Sequence, residues 1–431
     1  MLSNNINVRT MISMSLPTPQ VPALSGPQRR SHLLLMLFAP LPSLSLVSLS
    51  RYNGEDLPTT RRDLVHIESE VRRIYHLSLM VGHDGNYRIE GNVLNKRLCL
   101  IEGMRRTLRL CPDKVNRYFW PLQQHQWLRL PAAFQIPAER LDAAIAGYTS
   151  LLERPPSVSD LAFLHLYLRY VLMQCHLREQ PEFNQHQLQW LRQKCEYRQV
   201  LDIFRLWPLP ESELIGFTLL ARLLKTPNQT GVRSDDDRRL LLEVMNIIRR
   251  FEQVASMRFH QPEMLGAQLF SHLSAALERC HFHVGIDNSL QLEVEEKYPR
   301  LMRTTRAAVM PLEAAYRIRF PREELGLIAV IFGAWLMQDN DLQEKQVVIL
   351  TNSEGDKEKT LELQIRELTL LPLNIKFQSL AEFQVRGAPK NTVLVISPFS
   401  LPLPLFSPPL MLVRLPLAQA QQERIRQLLE A

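Results

Sequence analysis

The chain has 431 residues, 45% hydrophobic and 22% charged, which is too long for one small module and too balanced for a disordered chain or a polytopic membrane protein. Only 15 residues are glycine and leucine is abundant, so the composition predicts a mainly α-helical body. Residues 1–130 carry 17 Lys and Arg against 9 Asp and Glu, and the remainder carries 34 against 35; the basic excess therefore sits at the N-terminal end, as expected of a phosphate-binding module on a near-neutral body.

Residues 1–25, rich in Ser, Asn, Pro and Met, read as an unstructured leader or a start assigned too early. The apolar run 33–49 follows Arg29 and Arg30 but contains Pro40 and Pro42 and lacks a small-residue cleavage site. It is also too short and broken to span a bilayer, so it reads as the first helix of a folded domain plus the start of a second.

From residue 26 the order is a helix over 28–39, a turn with Pro40 and Pro42, an apolar segment 44–49, and a polar turn Asn53-Gly54-Glu55-Asp56. A longer helix then starts at Pro58-Thr59-Thr60, where proline suits a first turn and threonine a cap, and runs to about residue 74. Its apolar positions repeat at helical spacing and leave Arg61, Arg62, Arg72 and Arg73 for the other face. Two short strands over 77–80 and 87–90 flank Asp84-Gly85, a hairpin signal. Three helices and a hairpin follow the winged helix-turn-helix plan, in which the helix near Thr59 enters the major groove and the hairpin touches the backbone. Thr59, Thr60, Arg61, Arg62 and Arg88 are the DNA-binding candidates, since arginine pairs with phosphate oxygens or guanine edges. The alternative is an interaction module that uses the same compact fold without touching DNA; pairing of the arginines with Asp63, Glu68 and Glu70 would favour it.

After this domain over 26–110 and a helical connector over 111–139, residues 140–342 are helix-patterned and hold a weak internal repeat. Leu166-Tyr167-Leu168-Arg169-Tyr170-Val171-Leu172 and Glu213-Leu214-Ile215-Gly216-Phe217-Thr218-Leu219-Leu220-Ala221 form the first copy. Ser271-His272-Leu273-Ser274-Ala275-Ala276-Leu277-Glu278-Arg279 and Glu324-Leu325-Gly326-Leu327-Ile328-Ala329-Val330-Ile331 form the second. Two copies of one helical bundle, over 140–230 and 235–342, are the natural reading. Over 343–431 strand-like runs at 347–350, 375–377, 392–396 and 410–413 alternate with helices and a helix over 418–429 closes the chain, implying a small, mostly parallel α/β sheet.

The five cysteines, Cys99, Cys111, Cys175, Cys195 and Cys280, form no C-x-x-C pair, which disfavours zinc ribbons and disulfide scaffolds and predicts buried thiols in a reducing cytoplasm. Cys280-His281-Phe282-His283 has no second cluster at ligand spacing, so no metal site is expected. There is no P-loop, nucleophile elbow or dinucleotide fingerprint; neither an enzyme nor a cofactor is expected.

Thr59-Thr60-Arg61-Arg62-Asp63-Leu64, Tyr75-His76-Leu77-Ser78-Leu79, Gly85-Asn86-Tyr87-Arg88-Ile89-Glu90-Gly91 and Asn95-Lys96-Arg97 resemble the N-terminal domain of multidomain transcription regulators that carry PRDs, phosphotransferase-system regulation domains. The resemblance runs from about residue 26 to the C-terminus and is strong after residue 255, over 297–398, at Gly333-Ala334-Trp335-Leu336-Met337-Gln338 and in the tail 402–410, where it is to one stationary-phase-inducible member. It implies a winged helix-turn-helix domain, two helical-bundle PRDs and a small C-terminal EIIB-like domain in a cytoplasmic, dimeric DNA-binding regulator controlled by phosphotransferase-system proteins. The resemblance also implies four phosphorylatable histidines. Only His272 stands at such a position; Tyr167, Ala221 and Ile331 occupy the others, and His165 is off by two. His272 is either a remaining phosphosite or a histidine packed between the two bundles. The cysteine that carries phosphate in an EIIB domain is missing from Thr351-Asn352-Ser353-Glu354-Gly355, so phosphotransfer there is not expected. RNA antitermination, another activity of PRD proteins, goes with an all-strand N-terminal domain that residues 28–74 do not resemble.

Overall fold

A computed structural model describes residues 24–40, 44–152, 154–225, 234–286, 288, 290–339, 344–351, 355–400 and 408–430. The expected leader lies outside the described residues save for Leu24 and Ser25, as do Asn352, Ser353 and Glu354.

The chain opens with α1 (Gly26–Met36), with Pro27 in its first turn and Leu33, Leu34, Leu35 and Met36 buried. Helix α2 (Leu46–Asn53) starts where the Ser45 hydroxyl accepts the Ser48 N–H and stops at left-handed Gly54, φ 76°. The expected polar turn thus begins one residue late: Asn53 is still helical and buried, its side chain bonded to His32 Nδ1 at 2.7 Å. Asp56, not Thr59 or Thr60, caps α3 (Leu57–Tyr75), accepting the Thr59 N–H at 2.7 Å. A carboxylate one residue before the first turn reaches that N–H directly, which places Thr59 and Thr60 inside the helix.

Strands β1 (Ser78–Val81) and β2 (Tyr87–Glu90) pair antiparallel around Gly85, φ 73°, and Leu79 faces Ile89. Leu44 and Asn86 tie the hairpin to the start of α2, through Leu44 N–H to Asn86 Oδ1 at 2.9 Å and Tyr87 N–H to Leu44 O at 3.0 Å.

Helix α4 (Val93–Leu110) packs against α1 on one side and α8 (Val158–Leu177) on the other. Between them lie a one-turn α5 (Pro112–Lys114), a π-turn, α6 (Trp120–Trp127) and α7 (Ala138–Thr149). The first bundle continues with α9 (Gln185–Arg192), α10 (Cys195–Ile203) and α11 (Glu211–Leu224). One hydrophobic core runs without a break from Leu33 to Leu224, so the boundaries expected near residues 110 and 140 are not gaps in packing: α4 is apolar on two faces and serves both neighbours.

The second bundle comprises α12 (Asp235–Ala255), α13 (Pro262–His281), α14 (Gln291–Lys297), α15 (Pro299–Tyr316) and α16 (Arg322–Asp339), around its own core with Phe251 stacked on Phe332 at 4.1 Å. The C-terminal unit is a four-stranded parallel sheet in the order β4-β3-β5-β6, built from β3 (Lys345–Thr351), β4 (Leu373–Ser379), β5 (Thr392–Ser397) and β6 (Leu410–Leu412). Helices α17 (Gly355–Arg366) and α19 (Gln419–Glu430) cover one face and α18 (Leu380–Arg386) the other. The alternation of Val347 and Ile349 with Val348 and Leu350 divides one strand between those two cores. Arginines of α15 fasten this unit to the second bundle: Arg300 donates to the Leu368 carbonyl and Arg303 pairs with Glu367 at 3.0 Å.

The molecule is therefore mainly helical with a small parallel sheet at its end. Among the described residues no helix is long and apolar enough to cross a membrane. The thiols correct one expectation: Cys99, Cys111 and Cys175 are buried, but Cys280 is half-buried and Cys195 is exposed, because Cys195 opens α10 at the surface.

Candidate nucleic-acid interface and histidine site

Helix α3 divides along its length. Thr60, Asp63, Leu64, Ile67, Val71, Ile74 and Tyr75 are buried, whereas Arg61, Arg62, Val65, His66, Ser69, Arg72 and Arg73 are exposed. The exposed positions recur every three or four residues and form one stripe roughly 18 Å long from Arg61 to Arg73. At its N-terminal end Arg62 donates to Thr59 Oγ1 at 3.1 Å. Thr60 does not belong to the stripe: it is fully buried and its hydroxyl donates to the Asp56 carbonyl at 2.8 Å. Helical spacing decides this, since Thr60 is in line with Leu64 and Ile67.

Two of the three acids flanking the stripe are taken by arginines outside it, and the third pairs with a stripe residue. Arg29 binds Asp63 at 2.7 Å and Arg106 binds Glu70 at 2.8 Å, while Glu68 pairs with Arg72 one turn along. No ion pair involves Arg61 or Arg62 among the described residues. Arg88 lies on the exposed side of the hairpin and pairs with Asp84 at the turn, where hydrogen bonds from the Asn86 side chain and backbone hold the Asp84 carboxyl below the usual carboxylate range.

His272 sits on α13 and faces α16. Its Nε2 is closed off from solvent, 3.2 Å from Glu324 Oε2, but not aligned for a hydrogen bond. Arg279, two turns along, grips the same carboxylate through Nε and Nη2. Burial alone would push the Glu324 carboxyl up; His272 and Arg279 outweigh it and bring it down to about 2. The expectation of a histidine packed between the two bundles is thus corrected: His272 is held within the second bundle.

The first bundle has a counterpart. Glu213, buried at the start of α11, receives Arg97 of α4 at 2.9 Å, and Tyr167 stands beside that pair, stacked on Phe163. Burial pushes the Glu213 carboxyl up to about 7 against the pull of Arg97. Each bundle so carries a buried glutamate paired with an arginine and joined by a ring side chain, tyrosine in one and histidine in the other. Counted from these glutamates, Ile331 follows Glu324 at the spacing by which Leu220 follows Glu213, one residue before Ala221. Both Leu220 and Ala221 are fully buried and apolar.

Sequence reasoning missed the contact between the bundles. Arg222 donates to Glu278 at 2.8 Å and pairs with Glu196 at 3.3 Å, Lys225 bridges Glu196 and Asp237 at 3.3 and 3.1 Å, and Trp190 Nε1 donates to Glu278 at 2.8 Å. Despite burial, Arg222 and Lys225 bring the Glu196 carboxyl to about 2. One signal was available: Arg222 interrupts the apolar run from Leu219 to Leu224. The run at 280–283 disperses, with Cys280 Sγ 4.0 Å from the Arg319 carbonyl, His281 against Trp190 at 3.9 Å between ring centres, and His283 exposed.

These paired helical bundles belong to a protein with a PRD: the family model described as "PRD domain" matches residues 245–335. The model described as "Stationary phase-inducible protein CsiE, C-terminal domain" matches residues 345–429. Over 424 residues the chain is 40% identical to the stationary phase-inducible protein CsiE of Escherichia coli (strain K12), covering 96% of this chain and 100% of that protein. It therefore belongs to the CsiE family. It is also 22% identical over 361 residues to the transcriptional regulator ManR of Bacillus subtilis (strain 168), covering 79% of this chain and 52% of that protein.

Proposed function

We propose that this protein is a cytoplasmic, dimeric DNA-binding transcription regulator of the PRD type, in which α1, α2, α3 and the β1–β2 hairpin act as a winged helix-turn-helix and phosphate control is largely lost. The exposed stripe of α3, in which Arg61 and Arg62 make no ion pair among the described residues, is the observation that carries this reading. Two cations on a helix backed by a buried face suit phosphate and guanine contacts, and Thr59 and Arg88 add a hydroxyl and a hairpin cation. Similarity to a transcriptional regulator supports it, and similarity to a stationary phase-inducible protein suggests expression in stationary phase. No enzymatic role is proposed.

His272 is proposed as a structural residue. Phosphate on its shielded Nε2 would be driven against the Glu324 carboxylate, a like-charge contact in a buried setting. The C-terminal unit is proposed as an EIIB-like scaffold that does not transfer phosphate, since no cysteine follows Cys280.

Selection of binding sequences from random duplex DNA with the full-length chain tests the reading. An enriched motif is expected, and Arg61→Ala with Arg62→Ala should weaken binding to it by about 1 to 3 kcal/mol for each base-contacting arginine. Failure to enrich any sequence would favour the alternative, an interaction module that keeps the PRD scaffold. Arg72 and Arg88, both paired with acids, are the observation on that side.

A further inference from the structure

Helix α13 does not end inside its own bundle. Its last turn winds into a left-handed residue, His283 with φ 54°, and the Val284 N–H returns to the Arg279 carbonyl at 2.9 Å. The next residue, Gly285, donates its N–H to the Ile74 carbonyl at 2.8 Å. Ile74 lies in the last turn of α3, where carbonyls have no partner within the helix. One helix terminus thus caps another from a different part of the chain.

The approach is backbone to backbone. A Cβ on Gly285 would lie 3.1 Å from Ile74 Cα and 3.4 Å from the Arg73 and Ile74 carbonyl oxygens. Those atoms cannot swing aside as a flexible side chain would, so any larger residue must push the loop and α3 apart. The loop is also fixed from behind. Phe282 is 2% exposed and belongs to the N-terminal core, with its ring edge-on to Phe183, and Gln187 Nε2 donates to the His281 carbonyl at 3.2 Å.

We infer that residues 282–286 form a clamp by which the second bundle positions the C-terminal end of α3, and that Arg279 links this clamp to the His272 site. The Arg279 guanidinium holds Glu324, whose Oε2 lies 3.2 Å from His272 Nε2, while its carbonyl holds the Val284 N–H beside Gly285. A change at Glu324 or His272 is then felt at the end of α3 through one residue. The regulatory meaning of the clamp rests on the reading of α3 as the DNA-facing helix; the clamp itself does not.

Amide hydrogen exchange on the full-length protein tests the clamp. In the wild type the Gly285 amide should be protected like those of the α13 interior. Gly285→Leu should speed exchange over residues 72–78 about tenfold, the loss of one buried hydrogen bond, while residues 262–278 keep wild-type rates. Gly285→Ala, which adds only the Cβ, serves should the leucine variant fail to fold. Arg279→Gln should loosen 282–286 and 72–78 together, with no further effect on 72–78 when Gly285→Leu is already present. Wild-type rates over 72–78 in the Gly285 variants would overturn the clamp, and loosening by Arg279→Gln confined to 282–286 would overturn the link. Binding to a selected DNA sequence separates the two readings. If no sequence is selected, the DNA reading fails while the exchange result stands; equal affinity of wild type and Gly285→Leu for a selected sequence would overturn the regulatory role.

Discussion

His272 and Tyr167 show how one kind of site takes different residues. Each stands beside a buried glutamate and an arginine. Replacing His272 by Asp therefore does more than imitate phosphate: it sets a second carboxylate near Glu324. His272→Asp should be less stable than His272→Ala, read as a lower urea midpoint, so a comparison of regulatory output needs matched protein levels. Thr60 gives a contrast with Arg61. Its hydroxyl bonds the Asp56 carbonyl in a fully buried setting, so Thr60→Ala should cost about 1 kcal/mol in denaturant unfolding. DNA affinity should be unchanged once folding is accounted for, and a lost affinity would place Thr60 in the interface after all. Threonine at the start of a helix invites the reading of a cap. Asp56 one turn earlier takes the cap instead, its carboxylate accepting the Thr59 N–H at the positive end of the helix, so both threonines already lie inside it.

Among the elements, α4 and α13 carry more of the architecture than their neighbours. Helix α4 is shared by the N-terminal helices and the first bundle, and Arg97 pins it to Glu213. Helix α13 offers Glu278 to Arg222 and Trp190 of the first bundle and Arg279 to Glu324 of its own. Two carboxylates at these contacts, Glu196 beside Arg222 and Glu324 beside Arg279, are held ionised despite burial. Glu196 and Glu324 lie at about 2 in the folded chain against an ordinary 4.5. A folded-state value depressed in this way stabilises the protein above about pH 4.5 and ceases to do so as the pH falls toward 2. The urea midpoint should accordingly drop across that window, and Glu324→Gln should flatten the drop at the expense of stability at neutral pH. A midpoint independent of pH between 4.5 and 2 would contradict the ion pairing assigned to both residues.

The whole molecule is a helical body with a sheet fastened to its far end, and arginines tie the N-terminal helices to the first bundle, the first bundle to the second and the second to the sheet. Such ties suit a body that holds one arrangement better than one whose bundles rearrange on phosphorylation. Incubation of the full-length chain with general phosphotransferase proteins and labelled phosphoenolpyruvate, followed by proteolysis, should leave peptides from residues 343–431 unlabelled. Stable label there would mean that a residue other than cysteine accepts phosphate in the C-terminal unit.

The helical class, the hairpin, the parallel C-terminal sheet and the basic stripe of α3 were legible in the sequence, because each follows from a local period: apolar residues every three or four positions, Asp84-Gly85 between short strands, and strands such as 347–350 between helices. Local period also marked which arginines α3 turns outward. It did not locate the partners of charges that residues far along the chain supply. Arg97 with Glu213, Arg222 with Glu278, and Gly285 with Ile74 join positions separated by 116, 56 and about 200 residues, and no spacing rule connects them. The single core from Leu33 to Leu224 was hidden for the same reason, since α4 buries two faces against elements that only the folded chain brings together. Tertiary structure alone decided that His272 points inward to Glu324, because a histidine on a helix becomes a switch or a strut according to what the facing helix presents.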